Sequence, residues 1–203
     1  MAARLDGEAV SAFSRRFENK HPDCTQIRCY QTDLDQPPED LAENLSDGIW
    51  VYSVPPGGTQ QTDDRLRAFL SAAASIQPRA IIYLGTSGVY GNTDGGWVDE
   101  NSPTRPGNNR SMRRLDAESQ LAAFAQRGKT HLYRLRITGI YAANRLPIER
   151  IKSGKPIICD AEAPWSNRIH ADDLTEIIIR LINRSNLVPT STPESEILNI
   201  SDN

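Results

Sequence analysis

An apolar run that stops abruptly in small and hydroxylated residues limits most what this chain can become. Ala80-Ile81-Ile82-Tyr83-Leu84 is followed at once by Gly85-Thr86-Ser87-Gly88-Val89-Tyr90-Gly91. Five apolar residues with β-branched side chains among them suit a strand buried on both faces, and are too few for a helix of ordinary length. Strands of that kind belong to parallel sheets covered by helices on both sides. Glycines and hydroxyls at the carboxyl end supply pliable backbone and hydrogen-bonding groups where open α/β sheets bind ligands. After a polar crossing rich in Pro and Gly, Arg110 opens a predicted helix on which Met112, Leu115, Ala122 and Phe124 are expected to cover the sheet.

Strands and helices alternate around this unit. Residues 9–14, 26–31, 48–54, 130–137 and 197–200 read as strands, with a further short one at 156–159. Helices are expected as a last turn at 1–5, from Pro37-Pro38-Glu39-Asp40, over 59–74 with Leu66, Phe69, Leu70 and Ala73 on one stripe, over 146–153, and over 174–182 with Asp172 and Asp173 as N-caps. Residues 185–196 read as a surface loop. The alternation predicts a parallel sheet with right-handed crossovers. At 203 residues the chain is long enough for one such domain, 1–203, and short for two.

Composition narrows the function. The net charge is −3, and Lys and Arg are scattered rather than striped, so no nucleic-acid partner is expected. No apolar segment approaches the ~20 residues of a membrane helix, and the amino terminus carries no apolar core followed by a cleavage site of the secretory kind. Cys24, Cys29 and Cys159 form no CxxC pair and have no His-rich companion. Reduced thiols in a cytoplasmic protein without a metal site are therefore expected.

Five segments in fixed order carry a resemblance: TSGVYG at 86–91, Trp97-Val98-Asp99-Glu100 before Ser102-Pro103, Arg114-Leu115-Asp116-Ala117-Glu118, YRLRITGIY at 133–141 and RIHADDL at 168–174. Together they resemble the extended short-chain dehydrogenase/reductases, and within them the atypical NAD-dependent epimerase/dehydratase-like branch. The resemblance implies a Rossmann-like doubly wound parallel sheet that binds NAD(P). The implied function is oxidoreductase or epimerase/dehydratase chemistry on a small carbonyl or sugar-nucleotide substrate. A homodimer paired through two long helices is the family's habit.

Site residues follow from the same resemblance. Thr86 takes the position that aligns the substrate, with Ser87 beside it. The family's Tyr-x-x-x-Lys pair falls on Arg110 and Arg114. Arg114 can still hold a ribose or phosphate, whereas the Arg110 guanidinium stays protonated at any working pH and cannot act as the acid/base. Tyr90 and Tyr141 are the remaining phenols, for which packing is the commoner fate. Tyr141, Arg145, Arg168 and His170 belong to the substrate side, a small C-terminal region around 140–170.

On the cofactor side, Arg15 and Arg16 end the strand that meets the adenosine ribose. Arginine there suits a 2′-phosphate and favours NADP over NAD. Asp33 and Leu34 take the adenine-contacting positions, Asp33 serving equally as a helix cap. Pro55-Pro56-Gly57 lies where the family runs a small-residue loop along the cofactor, although the two prolines depart from its usual composition. The family's opening strand and its G-x-x-G-x-x-G turn have no counterpart in the sequence. The expectation is thus a sheet incomplete at both ends, with the place between the family's second and fourth strands unfilled, in a fragment or a chain with a late start. Beside the enzyme stand two alternatives: a catalytically inactive NADP(H)-binding or redox-sensing protein, and a non-functional truncated remnant.

Overall fold

The computed structural model of the chain describes residues 9–16, 27–45, 47–143, 146, 148–154, 156, 159 and 166–202. Three parallel units carry the strands. β1 (Val10–Ser14) pairs with β2 (Ile27–Gln31), and β3 (Ile49–Tyr52), β4 (Ala80–Leu84), β5 (His131–Ile137) and β8 (Ser195–Ile200) form a four-stranded sheet in that order. β6 (Gly139–Tyr141) and β7 (Arg168–His170) make a third pair. Among the described residues, β1 and β3 share no ladder, so the Rossmann-like parallel sheet is present in part and in two pieces. The readings at 1–5 and Arg145 lie outside the described residues, as do Ile157 and Ile158 of the short strand read at 156–159.

Alternation along β4 sends its side chains to two separate cores. Ile81 and Tyr83 join Leu66, Phe69, Leu70, Leu121, Phe124 and Leu132 beneath α2 (Asp64–Ala72) and α3 (Asn109–Gly128). Ala80 and Ile82 join Tyr133, Leu135, Ile137, Leu174, Ile178, Leu181 and Ile182 beneath α5 (Ala171–Leu187). Ile81, Ile82 and Tyr83 have no exposed surface, so the strand is buried on both faces. At ~25 cal/mol per Å² of apolar area, these side chains are worth about 1.5–3 kcal/mol each.

Helix boundaries differ from the sequence pattern for identifiable reasons. The stripe Leu66, Phe69, Leu70, Ala73 is buried as expected, but α2 starts at Asp64 rather than 59, because the Asp63 carboxylate accepts the Leu66 N–H at 3.2 Å and caps it there. On α3 the inward face is Ser111, Ala117, Glu118, Leu121, Phe124 and Ala125, while Met112 and Leu115 are only half-buried. α5 is capped not by its aspartates but by His170, whose Nδ1 accepts the Asp172 N–H at 3.3 Å. Asp172 and Asp173 occupy the first turn, where carboxylates complement the helix dipole. The helix also outruns its predicted end, since Ser185 is fully buried and returns its hydroxyl to Leu181 O at 2.7 Å. Two further short helices are α1 (Leu41–Asn44) and α4 (Ile148–Lys152).

One charged pair enters the α3 core. Arg136 of β5 donates through Nε and Nη2 to the two oxygens of Glu118 at 3.2 and 2.9 Å, and each side chain is only 4% exposed. Its guanidinium also lies 4.8 Å from the ring centre of Tyr90. A fork of this kind stabilises the fold little over an apolar pair, yet losing one member leaves a buried charge without its partner. Arg136→Met alone is expected to cost about 3–5 kcal/mol. Joined to Glu118→Leu it should recover most of that loss, and urea unfolding of each protein measures both.

Asp63 yields a second expectation. It is nearly fully buried, and its carboxylate accepts the N–H groups of Leu66 and Gly57, each at 3.2 Å. Burial outweighs these donors and holds its proton above the ordinary carboxylate range. A carboxyl raised by folding takes its proton in the folded chain before the unfolded one, so its contribution to stability grows as pH falls from neutral toward about 4. Asp63→Asn retains an accepting oxygen and removes this titration. Relative to the native chain, the variant's urea midpoint should therefore gain less, or lose more, between about pH 7 and pH 5.

Candidate functional site

The carboxyl ends of β1, β2 and β3 open together onto a cavity of about 790 Å³. Its wall runs through Phe13, Ser14, Arg15 and Arg16 after β1, Thr32, Asp33 and Leu34 after β2, and Ser53, Val54 and Pro55 after β3, with Arg65 reaching in from α2. Arg15, Arg16, Asp33, Leu34 and Pro55, all singled out from the sequence, thus border one space, with Pro56 and Gly57 next along the chain. Leu34 is buried and joins the α2/α3 core. Asp33 folds its own loop, Oδ1 accepting the Asp35 N–H at 3.0 Å.

Arg65 carried no sequence signal, because an arginine in the first turn of a helix ordinarily points to solvent. Here Nε and Nη2 donate to the two Asp35 oxygens at 2.7 Å each, and Nη1 donates to Pro55 O at 2.7 Å. One guanidinium thereby joins the loop after β2 to the loop after β3, across the two units that share no ladder. Gly57 fits against this knot only as glycine: a Cβ there would lie 2.9 Å from Arg65 Cβ and 3.2 Å from Asp35 Oδ1. The Arg65 hydrogen bond is the chief reason the Asp35 carboxyl is held below its usual range.

A second cluster lies at the tip of β4. Thr86 caps the 3-10 turn Ser87–Tyr90, its Oγ1 accepting the Gly88 N–H at 3.1 Å, and Ser87 is half-buried beside it. Arg114 reaches the same tip from α3, where Nη1 donates to Leu84 O at 3.1 Å and Tyr83 Oη at 3.3 Å. Thr86 and Arg114 are thereby brought to one strand end. Arg110, a helical turn earlier, is exposed. Ser111 takes the inward place instead: a Cβ on Gly88 would meet Ser111 Oγ at 3.2 Å and Thr86 Oγ1 at 3.4 Å. The helical stripe drawn from apolar residues passed it over, since serine does not register in such a pattern.

Few phenols here are poised to move a proton. Tyr83 is fully buried, and burial pushes its phenol up to about 12. Tyr90 is 3% exposed, stacks against Arg136 and donates its hydroxyl to Asn199 Oδ1 at 2.7 Å, so it packs against β5 and β8 rather than opening to solvent. Tyr141 ends β6 at the surface, edge-on to His170 with ring centres 5.2 Å apart, and the Asp202 carboxylate beside it raises its phenol. On the substrate side, β6 and β7 set Tyr141 opposite His170 and Gly139 opposite Arg168. The Arg168 side chain covers Gly139 closely enough that a Cβ there would lie 2.5 Å from Nη1. Among the described residues, no helix is long and apolar enough to cross a membrane.

Comparison with known folds and families places these features. A search of curated proteins finds no sequence match. Solved structures resemble the chain closely in shape. UDP-N-acetylglucosamine 4-epimerase from Bacillus cereus is 17% identical with a TM-score of 0.69, over 97% of this chain and 69% of that one. MoeE5 in complex with UDP-glucose and NAD is 21% identical with a TM-score of 0.73, over 98% and 70%. A functionally unknown conserved protein from Silicibacter pomeroyi is 26% identical with a TM-score of 0.65, over 94% and 62%. The family model described as NAD dependent epimerase/dehydratase matches residues 65–201, from the arginine that bridges the cavity loops to the end of the last strand, and the chain belongs to that family.

Proposed function

We propose that this chain binds a nicotinamide dinucleotide and serves an oxidoreductase or epimerase/dehydratase reaction on a small carbonyl or sugar-nucleotide substrate, with an atypical acid/base arrangement. The observation that carries this reading is the cavity at the tips of β1, β2 and β3, bordered by Arg15, Arg16, Asp33, Leu34 and Pro55. Its chemistry suits the adenosine half of such a cofactor. Leu34 supplies an apolar contact for a base, Asp33 an acceptor, and Arg15 and Arg16 two cations for a 2′-phosphate, which favours NADP. Pro56 and Gly57, which follow Pro55 directly, would extend the same contact along the cofactor.

Bound there, the dinucleotide would supply hydride transfer, and the residues of this chain would position the substrate. Thr86, fixed by its bond to the Gly88 N–H, offers a hydroxyl to a substrate oxygen, with Ser87 next to it. Arg114 brings positive charge to the same strand end for a ribose hydroxyl or a phosphate. Tyr141, His170, Arg168 and Arg145 would hold the rest of the substrate. Arg110 holds no removable proton at working pH, and Tyr90 gives its hydroxyl to Asn199.

That lack favours a second reading, a cofactor-binding or redox-sensing protein without turnover. Calorimetry with NAD⁺ and NADP⁺, followed by absorbance at the reduced-nicotinamide band in the presence of UDP-sugars or small carbonyls, separates the two. Binding with turnover that falls at least about tenfold in Thr86→Ala supports the enzyme, a loss typical of a positioned substrate contact. Binding without turnover supports the sensor, and absence of binding ends both. Arg15→Ser with Arg16→Ser is expected to weaken NADP⁺ about tenfold or more while NAD⁺ changes about twofold or less, as loss of charge-assisted phosphate contacts predicts.

A further inference from the structure

Among the described residues, three arginines line the cavity, Arg15, Arg16 and Arg65, against the one carboxylate of Asp33. Behind them stands Asp35. Both of its oxygens are occupied by Arg65 at 2.7 Å, and Oδ2 also lies 3.9 Å from Arg15 Nη1. The two arginines differ in exposure: the Arg65 side chain is 13% exposed and that of Arg15 is 63%. A fork of two charge-assisted bonds fixes the half-buried guanidinium firmly, whereas the longer contact draws an exposed one only partly aside.

We propose that Asp35 sets the anion selectivity of this cavity, because it withholds the charge of Arg65, and part of that of Arg15, from a phosphate bound there. The proposal rests on the reading of the cavity as the adenosine end of a nucleotide site. A 2′-phosphate entering the cavity meets Arg16 and a shared Arg15, with a carboxylate close behind. The site therefore prefers a phosphorylated ribose by less than its three arginines would give. Asp35 acts through these arginines and is a positioning residue. Its carboxyl is held below the usual range mainly by the Arg65 hydrogen bond, so its charge persists at neutral pH.

The test is the ratio of two affinities measured on the full chain and its variants. The probes are 2′,5′-ADP against 5′-AMP, and NADP⁺ against NAD⁺, by calorimetry at low and physiological salt. In Asp35→Asn the preference for the 2′-phosphorylated member is expected to rise about tenfold, about 1.4 kcal/mol, with the unphosphorylated ligand changed about twofold or less and the gain shrinking with salt. Arg65→Gln frees the Asp35 carboxylate to repel a phosphate, so there the same preference should fall. This second variant carries the test if Asp35→Asn does not fold, with thermal melting used to establish folding in each case.

Both ligands weakening in parallel would mean that Asp35 only braces the loops, and that result overturns the proposal, as does a ratio unchanged or shifted in the opposite sense in either variant. If the adenosine phosphates follow the expected pattern while neither dinucleotide binds, the proposal stands and the dinucleotide reading fails.

Discussion

β4 and β5 lie between two helical layers, and the charged pair brought into that sandwich, Arg136 and Glu118, finds its partner there. Ile81 and Tyr83 face one layer, Ala80 and Ile82 the other, and no water reaches any of them. A strand so enclosed has its register settled by burial, since a slip of one residue would exchange the two faces. The tip of β4, with Thr86 and the 3-10 turn after it, is consequently held in place from beneath. The Arg136–Glu118 fork belongs to the same constraint. It is a charged exception in a largely apolar layer, carried by the arrangement of β5 and α3 rather than producing it.

The cavity depends on a different kind of bond. β1 and β2 share no ladder with β3 among the described residues, so the loops that border the cavity are related to one another through side chains. Leu34 and Leu41 enter the core beside Tyr52 and Leu66, which sets the two units against each other. Arg65 then fastens the loop after β2 to the loop after β3 through Asp35 and Pro55 O. Apolar packing is not directional, and a guanidinium fork is. The first brings the units together, while the second fixes how their loops face the opening.

Much of this was legible in advance. The strands read at 9–14, 26–31, 48–54 and 130–137 recur within a few residues, because β-branched and aromatic runs bounded by Gly, Pro and polar clusters leave the backbone little alternative. Arg15, Arg16, Asp33, Leu34 and Pro55 were singled out together and do border one cavity, because chain order in a parallel sheet dictates which loops share an end. The misses are equally physical. Helix starts shifted where a side chain supplied the cap: Asp63 for α2, for which the sequence named none, and His170 for α5 in place of Asp172 and Asp173. The β6–β7 pair went unseen because three-residue strands carry no periodicity. Arg65 and Ser111 went unseen because polar residues on a helix are read as solvent-facing until a partner across the fold is known.

The amino-acid sequence alone determined the order and type of the longer elements, the parallel sense of the sheet and the family, since these rest on local pattern and on motifs whose spacing survives without coordinates. Tertiary structure alone decided which charges are spent and which are offered. Whether Arg65 meets Asp35, Arg114 meets Leu84 O, or Tyr90 meets Asn199 depends on contacts between residues 30 to 109 positions apart. A guanidinium or phenol reads the same in sequence whether its hydrogen-bonding groups face a ligand or a neighbouring strand. Only the packing of the backbone around it brings the partner within hydrogen-bonding reach or leaves that place to solvent.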